Sequence, residues 1–358
     1  MAKRTVKPNT QKRIGELVGV SRTAVFHVLK NPRTNKVSED VKKQILETAK
    51  KLEYFGDARG RRGRIAFAIE GRHPVLEPIC QKMISMLQKR GRELGIEIVM
   101  KTFHRSMSGT DILFNLNCDG ILSFHGLGAA AIRGIKEKLP LVLVQCNFIE
   151  LDCDMVSADE SAGVEMLVEH LINLGHRRIA YFAPHTENLA PLPGQARMQL
   201  ANLNVPNRIS GYLAELIKAG LPVDDNLIMT DNKAEEIGVC KENYVGDSID
   251  YLMALPAPPT AIVAYNDVVA MGLIRELAKK GVRVPGDISV GGFEDFYAET
   301  SDRPRLTTVD TVLLTQAKLG LEELLTRIYS PNASPNVEIF VKPRLVIRET
   351  TGPARNAD

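Results

Sequence analysis

Residues 11–30 read QKRIGELVGVSRTAVFHVLK, two short amphipathic stretches pinched together at Gly19-Val20-Ser21. In the first, Ile14, Leu17 and Val18 fall at i, i+3 and i+4, which predicts an apolar stripe with Gln11, Lys12, Arg13 and Glu16 facing out. Gly19 can take the left-handed conformation that ends a helix, and Ser21 offers a side-chain oxygen to cap the next. The second stretch is expected to bury Val25, Val28 and Leu29 and to present Arg22, Thr23, Phe26, His27 and Lys30. A third helix follows, with Ser38 as cap, Glu39 and Asp40 in the first turn where the macrodipole favours them, and Val41, Ile45, Ala49 and Leu52 as its buried stripe. Two helices joined by so tight a turn and braced by a third form the arrangement that lays the second helix in a DNA major groove.

Charge distribution points the same way. Residues 1–64 contain 17 Lys and Arg against 6 Asp and Glu, a net of +11, whereas the rest of the chain has 29 basic and 37 acidic residues, a net of −8. The overall charge of +3 therefore hides a basic head on an acidic body, the footprint of a protein that neutralises phosphates at one end. At 358 residues the chain leaves nearly 300 beyond a head of about 60, enough for two further lobes with proper cores. Its 5 cysteines show neither a CxxC nor a His/Cys metal spacing, which predicts free thiols. The basic N-terminus MAKRTVKPNTQK lacks an apolar h-region and no stretch approaches 18 apolar residues, so a cytoplasmic, nucleoid-associated protein is expected, neither exported nor membrane-spanning.

From Arg64 the pattern alternates. RIAFAIE, IEIVMKTF, DGILSF and LPLVLVQC read as strands around the helices LEPICQKMISMLQKRGRELG and AAAIRGIKEKL. After Val156 it restarts, with strands RIAYFA, TAIVAY and ISVGGF and helices SAGVEMLVEHLINLG, NRISGYLAELIKAG, VGDSIDYLMAL and VVAMGLIRELAKKG. Continuously apolar strands bounded by helices predict parallel sheets covered on both faces. Two doubly wound lobes follow, whose ligands bind outside the carboxyl ends of the strands, by default in a cleft between lobes.

GELVGVSRTAVFHVLKNPRTNKVSEDVKKQILETAKKLEY resembles the DNA-binding head of the lactose-repressor (LacI/GalR-type) family. Val18-Gly19-Val20-Ser21, Val28-Leu29, Val37-Ser38 and Leu52-Glu53-Tyr54 sit in register, while Ala24, Phe26, His27 and Lys30 replace the family's Thr, Ser, Arg and Asn. LVEHLINLGHRRIAYF, RISGY, PPTAIVAYNDVVAMGLIRELAKKGVRVPGDISVGGFED, LTTVD and PRLVIRE resemble the effector-binding core of the same family. The resemblance implies a small all-α helix-turn-helix head over residues 1–55, a short basic linker over 56–64, and an α/β body of two periplasmic-binding-protein-like lobes. It assigns 65–156 and 294–310, with a further segment 311–335, to the N-terminal lobe, 157–293 and 336–350 to the C-terminal lobe, and 351–358 to a tail. Three crossings would join the lobes, near Val156, Phe293 and Asp310. A homodimer on a near-palindromic double-stranded DNA operator, switched by a small-molecule effector, is the implied assembly.

By position in the family, Arg22, Thr23 and His27 face base edges, with Phe26 offering apolar contact to a thymine methyl. Arg22 is suited to guanine O6 and N7, a pairing worth roughly 1–3 kcal/mol of discrimination. Thr10, Lys12, Ser21, Lys30 and Lys42 are the expected backbone contacts. The linker GDARGRRGR is shorter than the family's hinge and lacks its minor-groove leucine; Arg59, Arg61, Arg62 and Arg64 instead either follow a narrow A·T-rich minor groove or tether the head through phosphates.

In the body, Arg208 of RISGY matches the family arginine that holds ligand hydroxyl or carboxylate groups. Asn266 in AYNDVVA can donate and accept to a sugar, or cap a turn. Glu294 stands at the first Asp of the family's G-F-D-D, with a structural hydrogen bond as the alternative. Gln145, Tyr265, His73 and His125 complete the candidates. The long segment 184–207 before Arg208 reads either as a lid or as a surface excursion. Gly126-Leu127-Gly128-Ala129-Ala130-Ala131 mimics a dinucleotide fingerprint, but the acidic partner required about 20 residues on is Gln145. No Walker loop, HExxH or GxSxG occurs. The reading is a ligand-responsive regulator with no enzymatic chemistry, no cofactor and no metal; a soluble sugar-binding module or a nucleotide-dependent enzyme are the rivals.

Overall fold

A computed structural model describes residues 11–30, 36–52, 63–70, 77–104, 106–113, 116–124, 127–145, 152–183, 204–230, 243–296, 304–329 and 335–355. The head consists of α1 (Gln11–Val18), α2 (Arg22–Lys30) and α3 (Glu39–Lys51). Its core is Ile14, Val25, Val28, Ile45 and Ala49, all fully buried, with Val18, Leu29, Val41 and Leu52 packed around them. Leu17, expected in the stripe, is 52% exposed. The inward row of α1 is Gln11, Ile14, Gly15 and Val18, spaced i, i+3, i+4, i+7, and Leu17 lies beside that row. Gly15 is required there, because Val20 N donates to Gly15 O at 2.9 Å and a Cβ on Gly15 would sit 2.7 Å from Val20 O. Gly19 has φ +75° and Ser21 Oγ accepts from Ala24 N at 3.1 Å, so the turn forms as its residue types dictate.

The chain divides into two compact units, each with its own six-stranded sheet. In the first, β1 (Arg64–Glu70), β2 (Glu97–Phe103), β3 (Gly120–Phe124), β4 (Leu141–Val144) and β5 (Asp154–Ala158) are joined through α4 (Glu77–Leu94), α5 (Gly109–Leu113) and α6 (Ala129–Lys136). Pairings β2/β1, β1/β3, β3/β4 and β4/β5 are all parallel. In the second, α7 (Glu160–Asn173), β6 (Ile179–Phe182), α8 (Asn204–Lys218), β7 (Ile228–Met229), α9 (Tyr244–Met253), β8 (Ala261–Ala264), α10 (Asp267–Lys279), β9 (Ser289–Phe293) and β10 (Thr307–Asp310) repeat the scheme. Helix α11 (Leu313–Tyr329) and the strands β11 (Glu338–Val341) and β12 (Arg344–Val346) follow. The sheet orders are β11-β5-β4-β3-β1-β2 and β12-β10-β9-β8-β6-β7, with β12 antiparallel to β10. Strands β3, β4, β6, β8 and β9 are buried at every residue, as parallel strands sandwiched by helices must be.

Two sequence assignments are corrected. Residues 294–310 do not return to the first lobe, since β10 pairs in parallel with β9 (Thr307 opposite Gly291, Val309 opposite Phe293). Residues 336–350 are split, because β11 adds to the first sheet beside β5 and β12 to the second. Among the described residues the chain therefore passes between units at 157/158, 313/314 and 339/340, with no crossing at Phe293. Short terminal strands carry too little apolar pattern to reveal which sheet edge they close.

Candidate functional site

On the head, Arg22 and Thr23 are exposed in the first turn of α2, as a reading position requires. Arg22 Nε rests 3.5 Å from Gln11 Oε1, a contact that holds the guanidinium over the start of α1. Phe26 and His27, one turn on, are half-buried with their rings edge-to-face at 5.5 Å. Lys12 is exposed and free to meet phosphate, and Ser21, also exposed, uses its Oγ as the cap. Lys42 and Arg64, both expected at phosphates, are each paired with a carboxylate of the protein. Lys42 is 4% exposed and its Nζ lies 2.5 Å from Glu39 Oε1, since a lysine on the inner edge of α3 can only reach out along its own helix. Arg64 belongs to β1; its N donates to Asp119 Oδ2 at 2.7 Å and its Nε lies 3.3 Å from Glu97 Oε2, so it anchors the sheet with its side chain 40% exposed. Thr10, Arg59, Arg61, Arg62 and the side chain of Lys30 lie outside the described residues, as do His73, His125 and most of the 184–207 segment.

In the second unit, α7, α8 and the carboxyl ends of β8 and β9 converge on Arg208. Its side chain is 0% exposed. Nε donates to Glu160 Oε2, Nη1 to the carbonyl of Tyr265 at 2.5 Å, and Nη2 to Glu294 Oε1 at 3.1 Å. The guanidinium lies 4.4 Å from the Tyr265 ring centroid and 4.0 Å from that of Phe293, so aromatic faces close off its flanks. The fork expected to face a ligand thus faces two carboxylates of the protein. Burial works against its charge, but Glu160 beside it more than offsets this, and the guanidinium is held protonated. The close approach of α7 and α8 that makes the pair depends on Gly211, where a Cβ would run into the carbonyl of Ser161.

Glu294 sits just past β9 with φ 105°, a conformation few L-residues adopt and one held by Glu294 N donating to Val309 O at 2.7 Å. Its side chain is 11% exposed, and Oε2 has no hydrogen-bond partner among the described residues. Burial pushes its carboxyl up to about 7, against the opposing pull of Arg208 and with a further push from Glu160. Beneath it Asp267, fully buried, accepts from Thr308 Oγ1 through Oδ1 and from Phe296 N at 2.7 Å through Oδ2. Burial raises this carboxyl well above the usual range, and the Thr308 hydrogen bond only partly opposes it. Asp267 thereby ties the loop carrying Glu294 to the start of α10.

Asn266 caps α10, its Oδ1 accepting from Val269 N at 3.0 Å, and it remains partly exposed. The capping alternative is the one observed, and it commits only the oxygen of the amide. Tyr265 is 5% exposed, its carbonyl and ring both spent on Arg208. Gln145, in the first unit, has φ 54°, and its Oε1 accepts from Gln316 Nε2 at 2.8 Å; it is 5% exposed and pins α11 to the end of β4. Glu160 and Asp267 were not anticipated. Glu160 reads in sequence as an ordinary acidic residue in a helix first turn, and Asp267 as part of a cap. Among the described residues no group of His, Cys, Asp and Glu could hold a metal, and no helix is long and apolar enough to cross a membrane.

A helix-turn-helix head joined in one chain to two doubly wound α/β units defines a DNA-binding regulator carrying a sensor body. Residues 168–351 match the family model described as a periplasmic binding protein-like domain. The ribose operon repressor of Haemophilus influenzae is 25% identical over 349 residues, covering 95% of this chain and 98% of that protein. A structure of the transcriptional regulator CelR in complex with cellobiose superposes with a TM-score of 0.61 at 21% identity, covering 95% of this chain and 99% of that one. The lac repressor dimer bound to operator and the anti-inducer ONPF gives 0.61 at 19% identity, covering 97% and 100%. The chain belongs to the LacI/GalR-type family of transcription regulators, built on the periplasmic-binding-protein-like fold.

Proposed function

We propose that the chain is a transcription repressor that binds a near-palindromic operator as a homodimer and is switched by a small molecule, a sugar or sugar derivative. The observation that carries this reading is the joining of a basic helix-turn-helix head, with Arg22 and Thr23 exposed at the start of its second helix, to a periplasmic-binding-type body. Relatives that share this organisation include a ribose operon repressor and a regulator bound to cellobiose, which supports a carbohydrate effector. Arg22, Thr23, Phe26 and His27 read bases, while Lys12 meets phosphate. In the second unit, Glu294 and the amide nitrogen of Asn266 are the groups offered to the effector, beside the Tyr265 ring that flanks Arg208.

Switching requires that the effector bind the DNA-bound and DNA-free states unequally, and reciprocity then requires that DNA change effector affinity by the same factor. A thermal-shift screen of ribose, cellobiose and other neutral sugars, followed by DNA binding with and without each stabilising compound, tests the reading. A compound that raises the melting temperature and changes DNA affinity is expected. Stabilisation without any change in DNA affinity would contradict the regulatory role. Work within the cytoplasm at the nucleoid follows from the DNA partner.

A further inference from the structure

Arg208 is the natural anion anchor of such a site, yet none of its three guanidinium nitrogens is left uncommitted: Nε goes to Glu160, Nη1 to the Tyr265 carbonyl and Nη2 to Glu294. Glu160 is itself 1% exposed at the side chain, and its Oε2 accepts from Arg208 Nε inside this cluster. One cation thus faces two carboxylates. The second of these, Glu294, keeps one oxygen without a partner among the described residues, and that oxygen can only accept when ionised. The hydroxyl of Tyr181, 0% exposed and within the electrostatic reach of Arg208 and Glu160, also has no partner among the described residues. The unsatisfied carboxylate oxygen calls for a hydrogen-bond donor without negative charge.

We propose that Glu160 is a specificity-determining residue: by occupying Arg208 it converts an anion anchor into an acceptor site, so that the effector is a hydroxyl- or amine-bearing sugar and not a sugar acid or sugar phosphate. This rests on the sugar-responsive reading above and refines it. A carboxylate brought to Glu294 would meet a like charge in a poorly solvated place with no guanidinium N–H released to receive it, and discrimination of this kind works by repulsion as much as by attraction. Glu160 acts through Arg208 and is a positioning residue.

The test is calorimetric titration of the full chain at pH 8 with matched probes: D-glucose, D-glucosamine and D-glucuronate, and ribose beside ribose 5-phosphate. In each set the uncharged or amino member is expected to bind at least tenfold more tightly than its acid. Glu160→Gln, which removes one of the two negative charges facing Arg208, should narrow that ratio at least tenfold by improving acid binding, and Glu294→Gln should narrow it independently. An acid that binds the unaltered chain as well as its neutral counterpart overturns the proposal, as does a ratio unchanged in both variants. Silence towards every probe, with DNA binding intact, overturns instead the sugar-responsive reading on which the proposal rests.

Discussion

Arg208 and Glu160 form an ion pair with their side chains 0% and 1% exposed, bridging α8 and α7. Stranding one charge of a fully buried pair costs about 3–5 kcal/mol, and because Arg208 would keep Glu294 the lower end, about 3 kcal/mol, applies to the loss of Glu160. Glu160→Ala is therefore expected to lower the urea midpoint by that equivalent, with Glu160→Gln milder because it can still accept from Nε. Gly211→Ala should mimic the loss by forcing α7 and α8 apart. Urea unfolding followed by circular dichroism measures all three; an unaltered midpoint in Glu160→Ala would remove the pair from the structural account.

Glu294 has its carboxyl raised to about 7 by burial, above its ordinary 4.5. A group raised on folding contributes stability fully present below the unfolded value and lost as pH rises through the folded one, here between about 4.5 and 7. The native state holds a proton there that the unfolded chain releases. Glu294→Gln should remove this loss, gaining on the parent by on the order of 2–3 kcal/mol between pH 5 and pH 8. Parallel melting curves for variant and parent across that range would contradict it.

His176 fastens the C-terminal segment. Its Nδ1 lies 2.8 Å from Thr260 Oγ1, and its Nε2 is 3.0 Å from both Ser289 Oγ and the Gly352 carbonyl. The carbonyl partner assigns the proton to Nε2, leaving Nδ1 to accept from Thr260. Burial lowers its pKa below the ordinary 6.5, against the opposing effect of the Gly352 carbonyl. A depressed base contributes stability present above the unfolded value and lost as pH falls through the folded one, so acid below about pH 6.5 should loosen this anchor. His176→Ala is expected to increase amide exchange around 350–352 at pH 8 and to flatten the acid limb of the melting profile.

On the head, Arg22→Ala should relax base preference by about 1–3 kcal/mol at its position, whereas Lys12→Ala should weaken all sequences alike and reduce the salt slope by about 1. Lys42→Ala should leave the salt slope nearly unchanged and lower the stability of the head, because its ammonium is held on Glu39. Competition binding at several salt concentrations separates the three. Full operator selectivity in Arg22→Ala would refute its base-reading role.

The architecture was largely legible in the sequence because it is written in local periodicity: buried strands, amphipathic helices, and Gly19-Val20-Ser21 at the turn. Placement of β10 and β11 was not, since which sheet edge a strand of four residues joins depends on partners far along the chain. The same limit applies to the site. Family position nominates Arg208 and Glu294, and the place after a buried strand nominates Asn266 and Tyr265, but what Arg208 faces is invisible in sequence, because Glu160 lies 48 residues away and looks like a helix-start acid. Leu17 and Lys42, on helices of 8 and 13 residues, mark a finer limit: a stripe read one residue off exchanges an exposed position for a buried one.

The most direct measurement is fluorescence anisotropy of a duplex selected by the full chain from a randomised palindromic library, titrated at several salt concentrations with and without a sugar that stabilises the protein. Binding of two chains per duplex, an affinity falling steeply with salt, and a shift of about 5–150-fold on adding the sugar are expected. Selection of no duplex over competitor DNA, or an affinity indifferent to a sugar that demonstrably binds, would contradict a ligand-switched repressor.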